Sequence, residues 1–97
     1  MDELVIAGKK FKSRLITGTG KHRSAEDLQE SILSSETEMI TVAIRRINFD
    51  DPKEKNLLDV IDWGKYNILP NTAGSKNADE AIYTAMLARD VTQSNWI

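Results

Sequence analysis

The stretch MITVAI, residues 39–44, decides how this chain folds. Polar interruption is limited to Thr41, and Ile40, Thr41, Val42 and Ile44 are all β-branched. Branched side chains are stiff about χ1 and pack well on a pleated surface, and an apolar run without alternation suits a strand covered on both faces. Coverage of that kind belongs to a parallel sheet with helices laid on it, so the flanking sequence is expected to alternate strand and helix.

Toward the N-terminus, Ser24 followed by Asp27 resembles a capping box with Asp in place of Glu, and Leu28, Ile32 and Leu33 recur at helical spacing. Before it, residues 15–17 form a more buried strand, and residues 4–6 with Gly8 form a hairpin leading into it, with Lys9, Lys10 and Lys12 as a solvated turn. Toward the C-terminus, RRINFDDPKEK is a charged loop broken by Pro52, followed by a short helix over residues 56–61. YNILPN is a third strand ended by Pro70, which lacks the donor a central ladder position needs. A helix follows with Ala78, Ala81, Ile82, Ala85 and Met86 on one alanine-rich face, and a fourth strand is expected to begin at Asn95.

The strand starts fall at 14, 39, 67 and 95, intervals of 25, 28 and 28 residues. Such even alternation indicates serial βαβ units and a parallel sheet with right-handed crossovers. A (β/α)8 barrel takes about 250 residues. The fold expected of residues 1–97 is therefore α/β, about three and a half βα units forming the N-terminal portion of a (β/α)8 TIM barrel, a fragment cut at SNWI.

Composition narrows the function classes. Forty per cent hydrophobic and 29% charged residues lie in the globular range, and a net charge of −2 offers no global positive field for nucleic acid or an anionic membrane. The absence of cysteine removes disulfides, thiolate catalysis and Cys-based zinc sites. The start MDELVIAGKK has neither a secretory signal nor a membrane span, which reads as a cytoplasmic protein.

In parallel α/β architectures ligands sit at the carboxyl ends of the strands, where helix N-termini present free N–H groups. After the first barrel strand, Gly18-Thr19-Gly20-Lys21 is either a tight turn or a backbone approach to an anion, for it lacks the Walker and dinucleotide spacings. After the second, Arg45 and Arg46 point in different directions from an extended backbone; one of them binds a phosphate or carboxylate, or holds a loop through Asp50 or Asp51. After the third, Asn71 and Thr72 offer neutral hydrogen-bonding groups beside Gly74, either touching a bound ligand or forming a turn. His22, the one histidine, reads as a solvent-exposed loop residue and no metal site is expected. Trp63 and Tyr66 read as packing residues, Phe49 as a loop anchor, and Asp50, Asp51, Asp59, Asp62 and Glu80 as surface charges.

Taken together, LITGTGK, MITVAIRRIN, LPNTAG and NWI resemble the thiazole synthase family of bacterial thiamine biosynthesis, in matching order across essentially all 97 residues. His22 stands where an aromatic residue is common in that family and Ser75 where cysteine is frequent; the large departure is length. The resemblance implies a (β/α)8 barrel that condenses 1-deoxy-D-xylulose 5-phosphate, dehydroglycine and the thiocarboxylate of a sulfur carrier protein into a thiazole phosphate carboxylate. It implies a homo-oligomer and no cofactor. An imine-forming lysine is expected immediately after Ile97, so no residue of this chain is assigned as catalytic, and Asn71, Thr72 and Arg46 are the expected substrate-binding residues. Lys21 and Lys65 sit in hydrophilic contexts that would not depress an amine pKa, and neither replaces that lysine.

The chain alone is expected to be inactive, and the bare edges of its parallel strands to require a companion chain. Two other readings stand beside it: a docking or oligomerisation module for the sulfur carrier, and a small open α/β protein that holds phosphate with Gly18 to Lys21 and Arg45 or Arg46.

Overall fold

The computed structural model describes residues 3–20, 25–46, 61–62 and 64–97. Strands β3 (Ile16–Gly18), β4 (Met39–Ala43) and β5 (Asn67–Asn71) form a sheet in the order β3-β4-β5, parallel throughout. Helix α1 (Ala25–Ser35) joins β3 to β4, and helix α2 (Ala78–Thr92) follows β5. The α/β alternation with a parallel sheet expected from MITVAI is therefore present. All but Ile61 of the expected helix over residues 56–61, the cap Ser24, and Lys21, His22, Phe49 and Trp63 lie outside the described residues.

The period of two along β4 sorts its side chains between two environments. Ile40, Val42 and Ile44 join Leu28 and Ile32 of α1, Ile61, Ile68 of β5 and Ala88 of α2 in the hydrophobic core, with Tyr66 and Leu87 packed at its border. Ile40 and Val42 are wholly inaccessible, and complete burial of such side chains stabilises the fold by about 2 kcal/mol each. Thr41 and Ala43 occupy the opposite face and are half-buried.

Three expectations about burial are corrected. Leu33 is 62% exposed, because the buried stripe of α1 runs through Leu28 and Ile32. In α2, Ala81 and Ala85 of the expected face are half-buried but Ala78, Ile82 and Met86 are exposed, whereas Ala88 is buried and Thr84, Leu87 and Val91 are half-buried. The contact face is thus rotated from the predicted one, and it is the small residues Ala88 and Ala81 that let the helix approach the sheet. β3 is also more exposed than expected, with Ile16 at 45%.

α2 has defined ends. Asn77 caps it by accepting a hydrogen bond from Glu80 N at 2.9 Å, Asp79 and Glu80 favour the positive end of the helix dipole, and Gln93 closes it in the left-handed conformation.

A hairpin, β1 (Leu4–Ile6) with β2 (Lys9–Phe11), lies at the amino ends of the parallel strands. Its two-residue turn has positive φ at Ala7 (49°) and Gly8 (80°), the twist that a tight hairpin demands and that glycine meets without strain. Lys9 and Lys10 belong to strand β2, so the turn is Ala7-Gly8 and not the lysine cluster. Glu38 fixes the hairpin's exit: one carboxylate oxygen accepts from Lys12 N at 2.7 Å and Ser13 N at 2.6 Å. Lys9 Nζ donates to Asn67 Oδ1 at 2.8 Å, and Phe11 meets Trp96 edge to face with centroids 6.1 Å apart. That contact accounts for the last correction at this end, since residues 95–97 carry no strand and Trp96 packs on the hairpin instead.

Pro70 does not end β5; the strand runs through it to Asn71, and Pro70 pairs with Val42. Asn67 N donates to Glu38 O, so by alternation Leu69 and Asn71 also direct their N–H toward β4, while positions 68 and 70 face the other way. The missing donor of Pro70 therefore breaks no bond to β4. Among the described residues no helix is long and apolar enough to cross a membrane.

Candidate functional site

Parallel pairing brings the carboxyl ends of β3, β4 and β5 to one edge, at Gly18, Ala43 and Asn71. The three following segments converge there.

β4 runs into a 3-10 turn, Ile44–Arg46, anchored by the buried side chain of Ile44. The expectation that Arg45 and Arg46 leave an extended backbone is corrected by that turn. Arg45 is exposed and its Nη1 donates to the carbonyl of Gly74, 29 residues away. It orders the loop after β5, whereas the expected partners Asp50 and Asp51 lie outside the described residues, as does the side chain of Arg46.

The loop after β5 is built on Asn71. Its Nδ2 donates to Thr41 Oγ1 at 2.9 Å and its Oδ1 accepts from Ala73 N at 3.1 Å. The second bond is an Asx turn, which reverses the chain just where β5 ends. Ser75 N then donates to Thr72 O at 3.2 Å, and Gly74 takes φ +90°. Added to Gly74, a Cβ would stand 2.8 Å from Arg45 Nη1 and 3.0 Å from Arg45 Cδ, so the guanidinium lies on the space that glycine leaves open. Asn71, Thr72 and Gly74 line one shallow depression together with Ser75 and Lys76.

The N-terminus of α2 borders the same depression, and two of its N–H groups, those of Glu80 and Ala81, are engaged by Asn77. Glu80 N bonds to Asn77 Oδ1, and Lys76 N donates to Glu80 Oε2 at 2.7 Å. With Asp79 and Glu80 in the first turn, this helix end carries its own negative charge.

Chemically, among the described residues, the edge is a ledge of neutral hydrogen-bonding groups with the engaged cation Arg45 and the exposed Lys76 at its border. Asn71 is a turn former as well as a candidate contact, and Thr72 is half-buried beside it. No group of three His, Asp or Glu side chains able to hold a metal occurs among the described residues. Of the GTGK run, Gly18 ends β3, Thr19 is half-buried and Gly20 is exposed. Sequence reading missed Thr41 and the Arg45–Gly74 latch. The parity of Thr41, opposite to Ile40 and Val42, was a usable signal for the first; no local pattern signals the second.

The profile of the family described as thiazole biosynthesis protein ThiG matches residues 5–97. The chain is 56% identical over 96 residues to a thiazole synthase of Aquifex aeolicus (strain VF5), covering 99% of this chain and 36% of that protein. It is 52% identical over 96 residues to a thiazole synthase of Solibacter usitatus (strain Ellin6076), with 99% and 37% covered. It is also 49% identical over 90 residues to a bifunctional protein ThiO/ThiG of Nostoc sp. (strain PCC 7120 / SAG 25.82 / UTEX 2576), covering 93% of this chain and 14% of that protein. The chain thus spans about a third of the length of the thiazole synthases it matches. A parallel βα sheet with the Asn71 ledge at its carboxyl edge and a family match from residue 5 to residue 97 lead to one assignment: the chain belongs to the thiazole biosynthesis protein ThiG family.

Proposed function

We propose that residues 1–97 are the first three βα units and the approach to the fourth strand of a (β/α)8 TIM barrel, and that the complete protein is a thiazole synthase. The observation that carries this reading is the gathering of Arg45, Asn71, Thr72 and Gly74 at the carboxyl ends of consecutive parallel strands, in a chain of this family. That edge is where barrels place their chemistry.

In this reading the protein condenses 1-deoxy-D-xylulose 5-phosphate, dehydroglycine and the thiocarboxylate of a sulfur carrier protein into a thiazole phosphate carboxylate. It works without a cofactor, in the cytoplasm, as a homo-oligomer. A lysine amine adds to the sugar ketone and water leaves, forming an imine; the neighbouring C–H becomes acidic, which prepares the sugar for reaction with the thiocarboxylate sulfur. The lysine follows position 97 in the complete protein. Asn71 and Thr72 line the mouth and Arg46 faces an anion or orders a loop. The two bonds that hold Asn71 support its part, because a fixed carboxamide loses little freedom when a ligand arrives. Exposed Ile82, Tyr83 and Met86 support association with further protein.

The test is complementation. The 97-residue chain is mixed with the part of the Aquifex aeolicus thiazole synthase that follows the matching region, the three reactants are supplied, and product is sought by mass spectrometry. Thiazole is expected from the mixture and from neither part alone. A complex that forms and makes no thiazole overturns the enzymatic reading; turnover by the 97-residue chain overturns the placement of the lysine outside it.

A further inference from the structure

The face of the sheet turned away from the helices holds a hydroxyl donor beside an unfilled space, Thr41 next to Gly18. Resting on the thiazole synthase reading, we infer that Thr41 contacts the substrate there: its hydroxyl donates to an uncharged oxygen, hydroxyl or carbonyl, of the sugar phosphate, whose carbon chain lies over Gly18.

Thr41 supplies the donor. Its Oγ1 accepts from Asn71 Nδ2 at 2.9 Å, while Asn71 Oδ1 accepts from Ala73 N. Exchanging the two amide atoms of Asn71 would set a donor against the Ala73 N–H, so the direction of the bond to Thr41 is fixed by chemistry. A hydroxyl carries one proton besides its acceptor sites, and with Asn71 on the oxygen that proton turns away from β5. Thr41 is half-buried, so water satisfies the proton in the free protein and a ligand oxygen takes the water's place.

Gly18 supplies the space, by an independent argument. β3 pairs with β4 in unbroken register, Gly18 beside Thr41, and the φ of Gly18 is not positive, so neither a bulge nor a left-handed turn calls for glycine here. Packing does not call for it either: among the described residues an added Cβ would meet Thr41 Cγ2 alone, at an ordinary 3.9 Å. Glycine in a strand is costly to order, and its remaining use is to let a ligand or another backbone come close. Thr41 turns its methyl group toward Gly18 and its hydroxyl toward Asn71. A carbon chain lying over Gly18 therefore packs on the methyl group, and its oxygen reaches the hydroxyl. Thr41, Ala43 and Asn71 on this face are all neutral, which selects an uncharged oxygen and leaves the phosphate to other parts of the protein.

The experiment is steady-state kinetics of the complex with the complementing Aquifex aeolicus part, varying 1-deoxy-D-xylulose 5-phosphate and recording melting temperatures on the same samples. Gly18→Ala should raise KM about tenfold or more, because its methyl group fills the space the substrate needs. It should melt no earlier than the parent complex, since alanine loses less backbone freedom than glycine on folding. Thr41→Val should raise KM about tenfold by removing one hydrogen bond, and Thr41→Ser, which keeps the hydroxyl, should restore most of the loss. Thr17→Val is the control: Thr17 pairs with Ile40 on the helix-covered face, its Oγ1 is buried without a partner, and KM should not change. An unchanged KM in Gly18→Ala, a rise in that variant that comes with a lower melting temperature, or a Thr41→Ser complex as impaired as Thr41→Val overturns the inference and leaves the enzymatic reading standing. A parent complex that forms and makes no thiazole overturns both.

Discussion

Replacing Gly74 by alanine tests whether Arg45 latches the loop after β5 to the turn after β4. Two costs are expected. Gly74 sits at φ +90°, where an L side chain is strained by about 1 kcal/mol. The new Cβ also stands 2.8 Å from Arg45 Nη1 and 3.0 Å from Cδ, inside van der Waals contact, so the arginine must leave. Its bond to the Gly74 carbonyl goes with it, a loss of about 1 kcal/mol for a bond at an exposed site. Gly74→Ala should therefore destabilise the chain by about 2 kcal/mol in total. In an Arg45→Ala background the second cost has already been incurred, and the same change should cost only about 1 kcal/mol. Urea denaturation of the four proteins of the cycle measures the difference, which corresponds to a midpoint displacement of about 0.5 M at a typical slope. If Gly74→Ala costs the same in both backgrounds, Arg45 does not hold this loop and the latch is refuted.

Ile40→Ala empties a wholly buried position in the central strand and should cost about 2–5 kcal/mol by denaturation. Met86→Glu, on the α2 face predicted from sequence to be core but exposed in the structure, should alter stability by less than about 0.5 kcal/mol and should lower self-association in sedimentation. Asn77→Ala removes the cap of α2 and should cost about 1 kcal/mol, with faster amide exchange confined to the first turn. Glu38→Gln weakens the acceptor of Lys12 N and Ser13 N; those two amides should lose exchange protection while the β4 and β5 amides keep theirs.

The central strand was legible because burial on both sides of a strand leaves an apolar run that no other short element needs, and the hairpin was legible through Gly8, whose positive φ the tight turn uses. The face of α2 was not. Hydrophobic periodicity gives a period, but the phase is ambiguous when the contact face is made of Ala81, Thr84 and Ala88 and the larger apolar side chains of Ile82 and Met86 stand outside it. Pro70 misled for a related reason: its missing donor matters only on the bonded side, and which side that is depends on register with Glu38. At the candidate site, Asn71 and Thr72 could be selected from their place after an apolar run, whereas Arg45 could not be separated from Arg46. The difference between them is a carbonyl 29 residues away.

The sheet itself explains why polar chemistry collects at one edge of this chain. Its helix-facing positions, Ile40, Val42 and Ile68, are apolar and buried, and hydrophobic burial there holds the strands in register. The opposite face carries Thr41, Ala43 and Asn71 toward the carboxyl ends, small or polar side chains that are half-buried, with Asn71 bonded to Thr41. A large apolar residue at Thr41 would gain burial but leave the half-buried Asn71 carboxamide without its acceptor, at a cost of about 1 kcal/mol. The pair is therefore stable only as a pair. Core packing fixes where β4 and β5 end, and that pair together with Arg45 and the Asx turn fixes what stands there: a rigid carboxamide and a glycine-hinged loop at the edge where a parallel sheet receives its ligand.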